Sequence, residues 1–200
     1  MMKTLSRIAP VVLCLVAAAC EQPPTKEIGA AEAALEQARR EGADLFAPDR
    51  FGDAQAALAD AQKKLEARDY RGALSSATDA AEKSRSASQV AASARQIARE
   101  EANMAEASAQ AALDEVASIR AQAAKAKIPD KAFGALLQQA ADASTGLDSV
   151  ARALAEGKIL EAKALATEIK VNVTPLPRLF REAQAKWEAA HPKSRRPRKP

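Results

Sequence analysis

The chain has 200 residues, of which 48% are hydrophobic but only 3% aromatic, with 30 basic against 26 acidic side chains, two cysteines and one histidine. Its length allows one domain or two small ones, and alanine, at 52 residues, makes up most of the hydrophobic share, so the body reads as helical with a thin core. The basic excess is local: residues 20–190 hold 23 basic and 26 acidic side chains, and aromatics for base stacking are scarce, which excludes nucleic acid as the expected partner.

Residues 1–20, MMKTLSRIAPVVLCLVAAAC, start with Lys3 and Arg7, continue through a mostly apolar run from Ile8 to Val16, and close on Ala17-Ala18-Ala19 before Cys20. This is the layout of a bacterial secretion signal, and the run is shorter than the roughly 20 residues a bilayer span needs. Small residues leading into a cysteine resemble the lipobox of bacterial lipoproteins. The resemblance implies cleavage after Ala19, acylation of Cys20, and a membrane anchor made by that lipid. Cys14, behind bulky Leu13 and inside the apolar run, would leave with the leader. The family prefers Leu where this chain has Ala17, and Ala17 with Ala19 also suits ordinary cleavage to a soluble product. Glu21 stands where an Asp would mark inner-membrane retention, so the resemblance implies the outer membrane, with the body in the periplasm. No cysteine follows Cys20, so no intramolecular disulfide is expected.

Glu21 to Lys26, with Pro23-Pro24, reads as a short extended tether. Ile28, Ala31, Leu35, Ala38, Gly42 and Leu45 alternate spacings of three and four, one face of a helix. Ala47-Pro48-Asp49 interrupts it, with Asp49 as the expected N-cap of a second helix through Phe51, Ala54, Leu58, Ala61 and Leu65. A turn at Ala67-Arg68-Asp69 leads into a long helix from Tyr70 to Lys127, whose seam of Ala77, Ala81, Ser84, Ser88 and Ala91 is small or polar; a break near residues 84–93 is the alternative. Val90, Ile97, Met104, Leu113, Val116 and Ile119 make its second half more apolar. After Ile128-Pro129-Asp130, a helix presents Phe133, Leu137, Ala140, Ser144, Leu147, Ala151 and Leu154, with Leu136 and Val150 alongside. Glu156-Gly157-Lys158 turns into a shorter helix through Ile159, Ala162, Leu165 and Ile169. Thr174-Pro175 then reads as N-cap and first residue of a last helix, carrying Leu176, Leu179, Phe180, Ala183 and Trp187 and ended by His191-Pro192.

These segments repeat. Pro48-Asp49 and Phe51-Gly52 recur as Pro129-Asp130 and Phe133-Gly134, while Leu65, Tyr70, Ala73 and Ala77-Thr78-Asp79 recur as Leu154, Ile159, Ala162 and Ala166-Thr167-Glu168. One extra heptad lengthens a hairpin without rotating its apolar face. The expected fold is therefore all-α: an elongated antiparallel bundle of coiled-coil-like hairpins, as two three-helix units sharing the long helix. Its expected division is leader 1–19, lipidated cysteine and tether 20–26, first unit 27–87, second unit 88–190 and basic disordered tail 191–200. The first unit, with Ala38, Gly42-Ala43, Phe46-Ala47-Pro48, Ala54, Leu58, Ala61 and Asp69-Tyr70-Ala73, resembles the alanine-rich envelope lipoproteins catalogued as domain of unknown function 4398. Members often have Tyr where this chain has Phe46. The resemblance implies a small periplasmic helical module on a lipid anchor. Tyr70-x-x-Ala73 is also similar to the opening of a tetratricopeptide repeat, without the 34-residue period.

A lone His191, no thiol pair and no glycine-rich phosphate loop leave no candidate for metal ligation, nucleotide binding or catalysis, so no enzyme, cofactor or metal is expected. Lys193, Arg195, Arg196, Arg198 and Lys199 read as a contact for anionic surfaces, each basic side chain contributing about 1 kcal/mol near an anionic membrane, or as a solubilising terminus. Phe180 and Trp187 read either as core closure or as a face for a partner. The expected function is a lipid-anchored periplasmic scaffold or adaptor meeting peptidoglycan or another envelope protein. The competing reading is a helical module that binds a ligand or peptide.

Overall fold

The structure, a computed structural model, describes residues 22–192, and every element among them is helical. Pro24 is the N-cap of α1 (Thr25–Arg40) and is itself buried, so the tether is shorter than expected, Thr25 and Lys26 being already helical. Ile28, Ala31 and Ala38 fill the inner face of α1 as their spacing predicts. That face does not run on to Leu45. Gly42 takes a left-handed φ of 85°, which costs no Cβ clash, and stops α1; the single turn α2 (Ala43–Phe46) then points Ala43 inward and leaves Leu45 63% exposed. In α3 (Pro48–Glu66) Pro48 lies in the first turn behind Ala47, where a missing amide hydrogen costs nothing. Asp49 is thus a first-turn carboxylate at the positive end of the helix dipole, and the expected cap falls two positions too late, the N-cap being Ala47.

Asp69 caps α4 (Tyr70–Lys125), its carboxylate accepting from the Gly72 amide at 2.9 Å. Its 56 residues run without a break, about 84 Å at 1.5 Å per residue. Serines in the seam do not interrupt it, because Ser84, fully buried, donates its hydroxyl to the Ala80 carbonyl at 2.7 Å and so needs no outside partner. A 3-10 turn (Asp130–Ala132) follows, then α5 (Ala135–Ala155), α6 (Ile159–Val173) and α7 (Leu176–Ala190). In α5 the buried residues are Ala143, Leu147, Val150 and Ala153, whereas Ser144 and Ala151, expected on that face, are exposed. Thr174 is not the N-cap of α7. It ends α6, returning its hydroxyl to the Lys170 carbonyl at 2.6 Å, and Pro175 takes the capping position.

Four clusters of buried side chains show how these helices sit. Ile28, Ala31, Leu58 and Ala61 pack with Ala77 and Ala81, and Ala38, Ala43 and Phe51 pack with Ala87 and Ala91. Thus α1 runs parallel to the first half of α4, and α3 runs back between them. Ala162 and Ala166 meet Ala102 and Ala105, while Val173, Leu176 and Phe180 join Ala109, Val116 and Ile119. Helices α6 and α7 therefore act as one rod, bent at Thr174-Pro175, parallel to the second half of α4. Each half is a three-rod unit, with α4 as the last rod of the first and the first rod of the second. Between Ala91 and Ala102 only Ala98 is buried, which makes a waist.

The repeat seen in the sequence reappears in the turns. Arg68 and Gly157, 89 positions apart, both have positive φ, 62° and 76°. Around them Asp69 N–H bonds the Lys64 carbonyl at 2.9 Å and Lys158 N–H bonds the Ala153 carbonyl at 2.9 Å, the same six-to-one bond that closes a helix end. Ala73 with Ala162, and Ala77 with Ala166, are all at 0% exposure. A left-handed conformation costs an L-residue about 1–2 kcal/mol, partly offset by the chain entropy that glycine loses. Arg68→Gly is expected to stabilise the protein by up to about 1 kcal/mol and Gly157→Ala to destabilise it by about as much, read as opposite shifts of the urea midpoint.

Across the first turn, Ser76 donates to Asp60 at 2.6 Å and accepts from Lys64 at 2.9 Å, tying α3 to α4. Lys64, and then Ser76, hold the Asp60 carboxyl below its ordinary range.

Candidate functional site

Helix α7 has a strongly one-sided pattern: Leu176 and Phe180 are buried, Leu179 and Ala183 are half-buried, and Trp187 emerges at its far end. Phe180 is 0% exposed and stacks on Phe133 with ring centroids 5.0 Å apart. It closes the core. As a partner contact it is corrected, because no surface of it remains to be touched.

Trp187 is different. Only partly buried, it stacks against the His191 imidazole at 4.0 Å, and the Lys131 ammonium lies 5.4 Å from its ring centroid, a cation–π distance. His191 Nδ1 is 2.9 Å from the Trp187 carbonyl, so the tryptophan edge and the end of α7 are held together. Beside the ring a groove of about 440 Å³ has an apolar floor of Leu136, Leu179 and Ala183 and a rim of Lys131 and Lys186. Glu182, also on the rim, is paired with Arg178 at 2.5 Å. Neither Lys131 nor Lys186 forms an ion pair among the described residues.

An aromatic wall, an apolar floor and two uncompensated ammonium groups suit a ligand with an apolar or ring-shaped part and a negative charge. The groups with shifted titration lie elsewhere, on surface pairs such as Glu156 with Lys158, where the mutual hydrogen bond lowers the carboxyl and raises the ammonium. Among the described residues, no three His, Cys, Asp or Glu side chains group so as to hold a metal ion, and no helix is long and apolar enough to cross a membrane.

No family model, curated protein or solved structure matches this chain.

The sequence-derived sites divide accordingly. Cys20 and Ala19, and the tail cations Lys193, Arg195, Arg196, Arg198 and Lys199, lie outside the described residues. Trp187 belongs to the groove and Phe180 does not. Lys131 and Lys186 were not singled out by the sequence. Lys186 adjoins Trp187, but Lys131 reaches the ring only because Phe133 and Phe180 stack, a contact between distant segments that no local spacing announces.

The two ends of the described chain, residues 22–192, are far apart. Ile28, just past Pro24, packs at the level of Ala77, whereas Gln184 and Glu188 sit beside Gln122. Between Ala77 and Gln122 lie about 45 residues of one helix, or about 68 Å.

Proposed function

We propose that the protein is a non-enzymatic, lipid-anchored spacer of the bacterial cell envelope, fixed to the outer membrane through Cys20 and presenting its α7 end and basic tail to an anionic periplasmic surface, the cell wall first among them. The observation that carries this is placement. The first helix starts at one end of the α4 rod, next to the segment that holds Cys20, while the Trp187 groove and the exit to the cationic residues 193–200 lie at the other. A single uninterrupted helix fixes the distance between them.

Two measurements test this. Mass spectrometry of the mature N-terminus is expected to find a diacylglycerol on Cys20; a free cysteine there removes the anchor. Co-sedimentation with purified peptidoglycan is expected to weaken at least tenfold, or by about 1.4 kcal/mol, when residues 191–200 are deleted; undiminished binding removes the tail from the contact.

The groove itself favours a second reading, a module that binds an anionic wall fragment. A thermal upshift with soluble peptidoglycan fragments that disappears in Trp187→Ala supports it. An upshift that survives this substitution argues against it.

A further inference from the structure

Helix α6 buries Ile159, Ala162, Ala166 and Val173 against α4 and α5, yet its opposite face is not polar. Leu160, Ala164, Thr167 and Val171 recur at spacings of four, three and four along the exposed side, with Leu160 44% and Val171 66% exposed. Those are the d, a, d and a positions of a heptad seam. In that register Lys163 is a g position and Glu168 the following e position. Lys163 leans toward α4, where it pairs with Glu101 at 2.5 Å, and Glu168 leans toward α5, lining a separate groove between α5 and α6 with Gln139 and Asp142. Glu168 forms no ion pair among the described residues.

We infer that this face is the contact for a second copy of the chain, the two α6 helices lying parallel and in register. The charges select the orientation. In a parallel pair each g position faces the partner's following e position, so Lys163 of either copy meets Glu168 of the other, twice over. The ammonium has three donors and can keep Glu101 as well. In an antiparallel pair, e faces e and g faces g, which would crowd Glu161 with Glu168 on one flank and Lys163 with Lys170 on the other. Small side chains at Ala164 and Thr167 let the two backbones approach. Ile97 and Met104, 55% and 64% exposed, lie one turn to either side of Glu101 and extend the apolar border on that flank.

Four seam residues on one 15-residue helix fall short of the 1,200–2,000 Å² of a stable complex. The dimer therefore relies on concentration of both copies at one membrane, and in that respect rests on the Cys20 anchor proposed above. The parallel arrangement suits it, since both N-terminal ends lie together.

Disulfide trapping in intact cell envelopes, on the full processed chain, tests the orientation. In a parallel pair the Leu160 positions face each other within reach of a disulfide, whose Cα atoms lie up to about 7 Å apart. In an antiparallel pair centred on the seam they are about 16 Å apart. Leu160→Cys is expected to give a band at twice the monomer mass on oxidation. Adding Glu168→Lys is expected to reduce that band at least threefold, and the further Lys163→Glu exchange to restore it. No double-mass band, an adduct of other mass, or a band strengthened by Glu168→Lys overturns the parallel dimer. Unsubstituted protein serves as the control for the anchor, because an acylated Cys20 cannot cross-link. If the unsubstituted chain itself cross-links, the anchor has failed and the membrane-concentrated dimer falls with it; if the unsubstituted chain stays monomeric and Leu160→Cys gives no double-mass band, the dimer alone is overturned and the anchor stands.

Discussion

Phe180→Ala is expected to lower the unfolding free energy by about 3–5 kcal/mol, the range for removing a buried aromatic side chain. The site justifies the upper part of that range. Phe180 is 0% exposed, stacks on Phe133, and shares its cluster with Ile119, Val173 and Leu176. Elsewhere in the molecule the seams are alanine on alanine, and an alanine removes little apolar area from water, so the few large side chains of the second unit carry a disproportionate share of its stability. Trp187, the only tryptophan, sits on the same helix and reports the loss directly. Urea unfolding followed by its fluorescence should move to lower denaturant by an amount worth several kcal/mol. A shift worth less than 1 kcal/mol would show that α7 is held by something other than this stack.

Gln96→Pro is expected to cost at least about 3 kcal/mol and to uncouple the two units. Proline inside a helix removes an i to i−4 hydrogen bond and drives its ring against the preceding turn. Gln96 lies in the waist between Ala91 and Ala102, its side chain exposed and bonded only to Glu100 at 2.8 Å, so little packing restrains a bend there. X-ray scattering should find a broader distribution of lengths, and unfolding followed by Trp187 should separate from the loss of total helicity. A variant with the scattering profile of the natural chain would mean that the rod does not depend on α4 alone.

Much of this architecture was legible, and the limits have physical causes. The turns at Arg68 and Gly157 were marked by breaks in apolar spacing, and their 89-residue relation survives down to matching hydrogen bonds. The continuity of α4 was not decided, since a seam of alanine and serine gives no contrast between faces; the buried hydroxyl of Ser84 is satisfied by its own helix. The same lack of contrast misplaced the face of α5. Alanines occupy six of the seven heptad phases of that helix, so Ala151 is as plausible by sequence as Val150, although of the two only Val150 is buried. Leu45 failed for another reason, because one left-handed glycine resets the helical phase. Of the groove, Trp187 could be seen in advance and Lys131 could not, its approach depending on a long-range stack of two phenylalanines. The outer face of α6 carried a readable signal in its four-three-four spacing, overshadowed by the stronger inner pattern of Ile159, Ala162 and Ala166.

The waist and the parallel course of α1 and α7 along α4 have a mechanical side. A pull applied between Pro24 and Pro192 draws α1 and α7 lengthwise in opposite directions along a common shaft. Their seams are thus loaded in shear, and contacts along a whole seam must yield together instead of peeling apart one after another. Between the two seams, from residue 92 to 101, Ala98 is the only buried residue, so tension passes mainly through the backbone hydrogen bonds of one helix. That thinly packed stretch is where extension should begin.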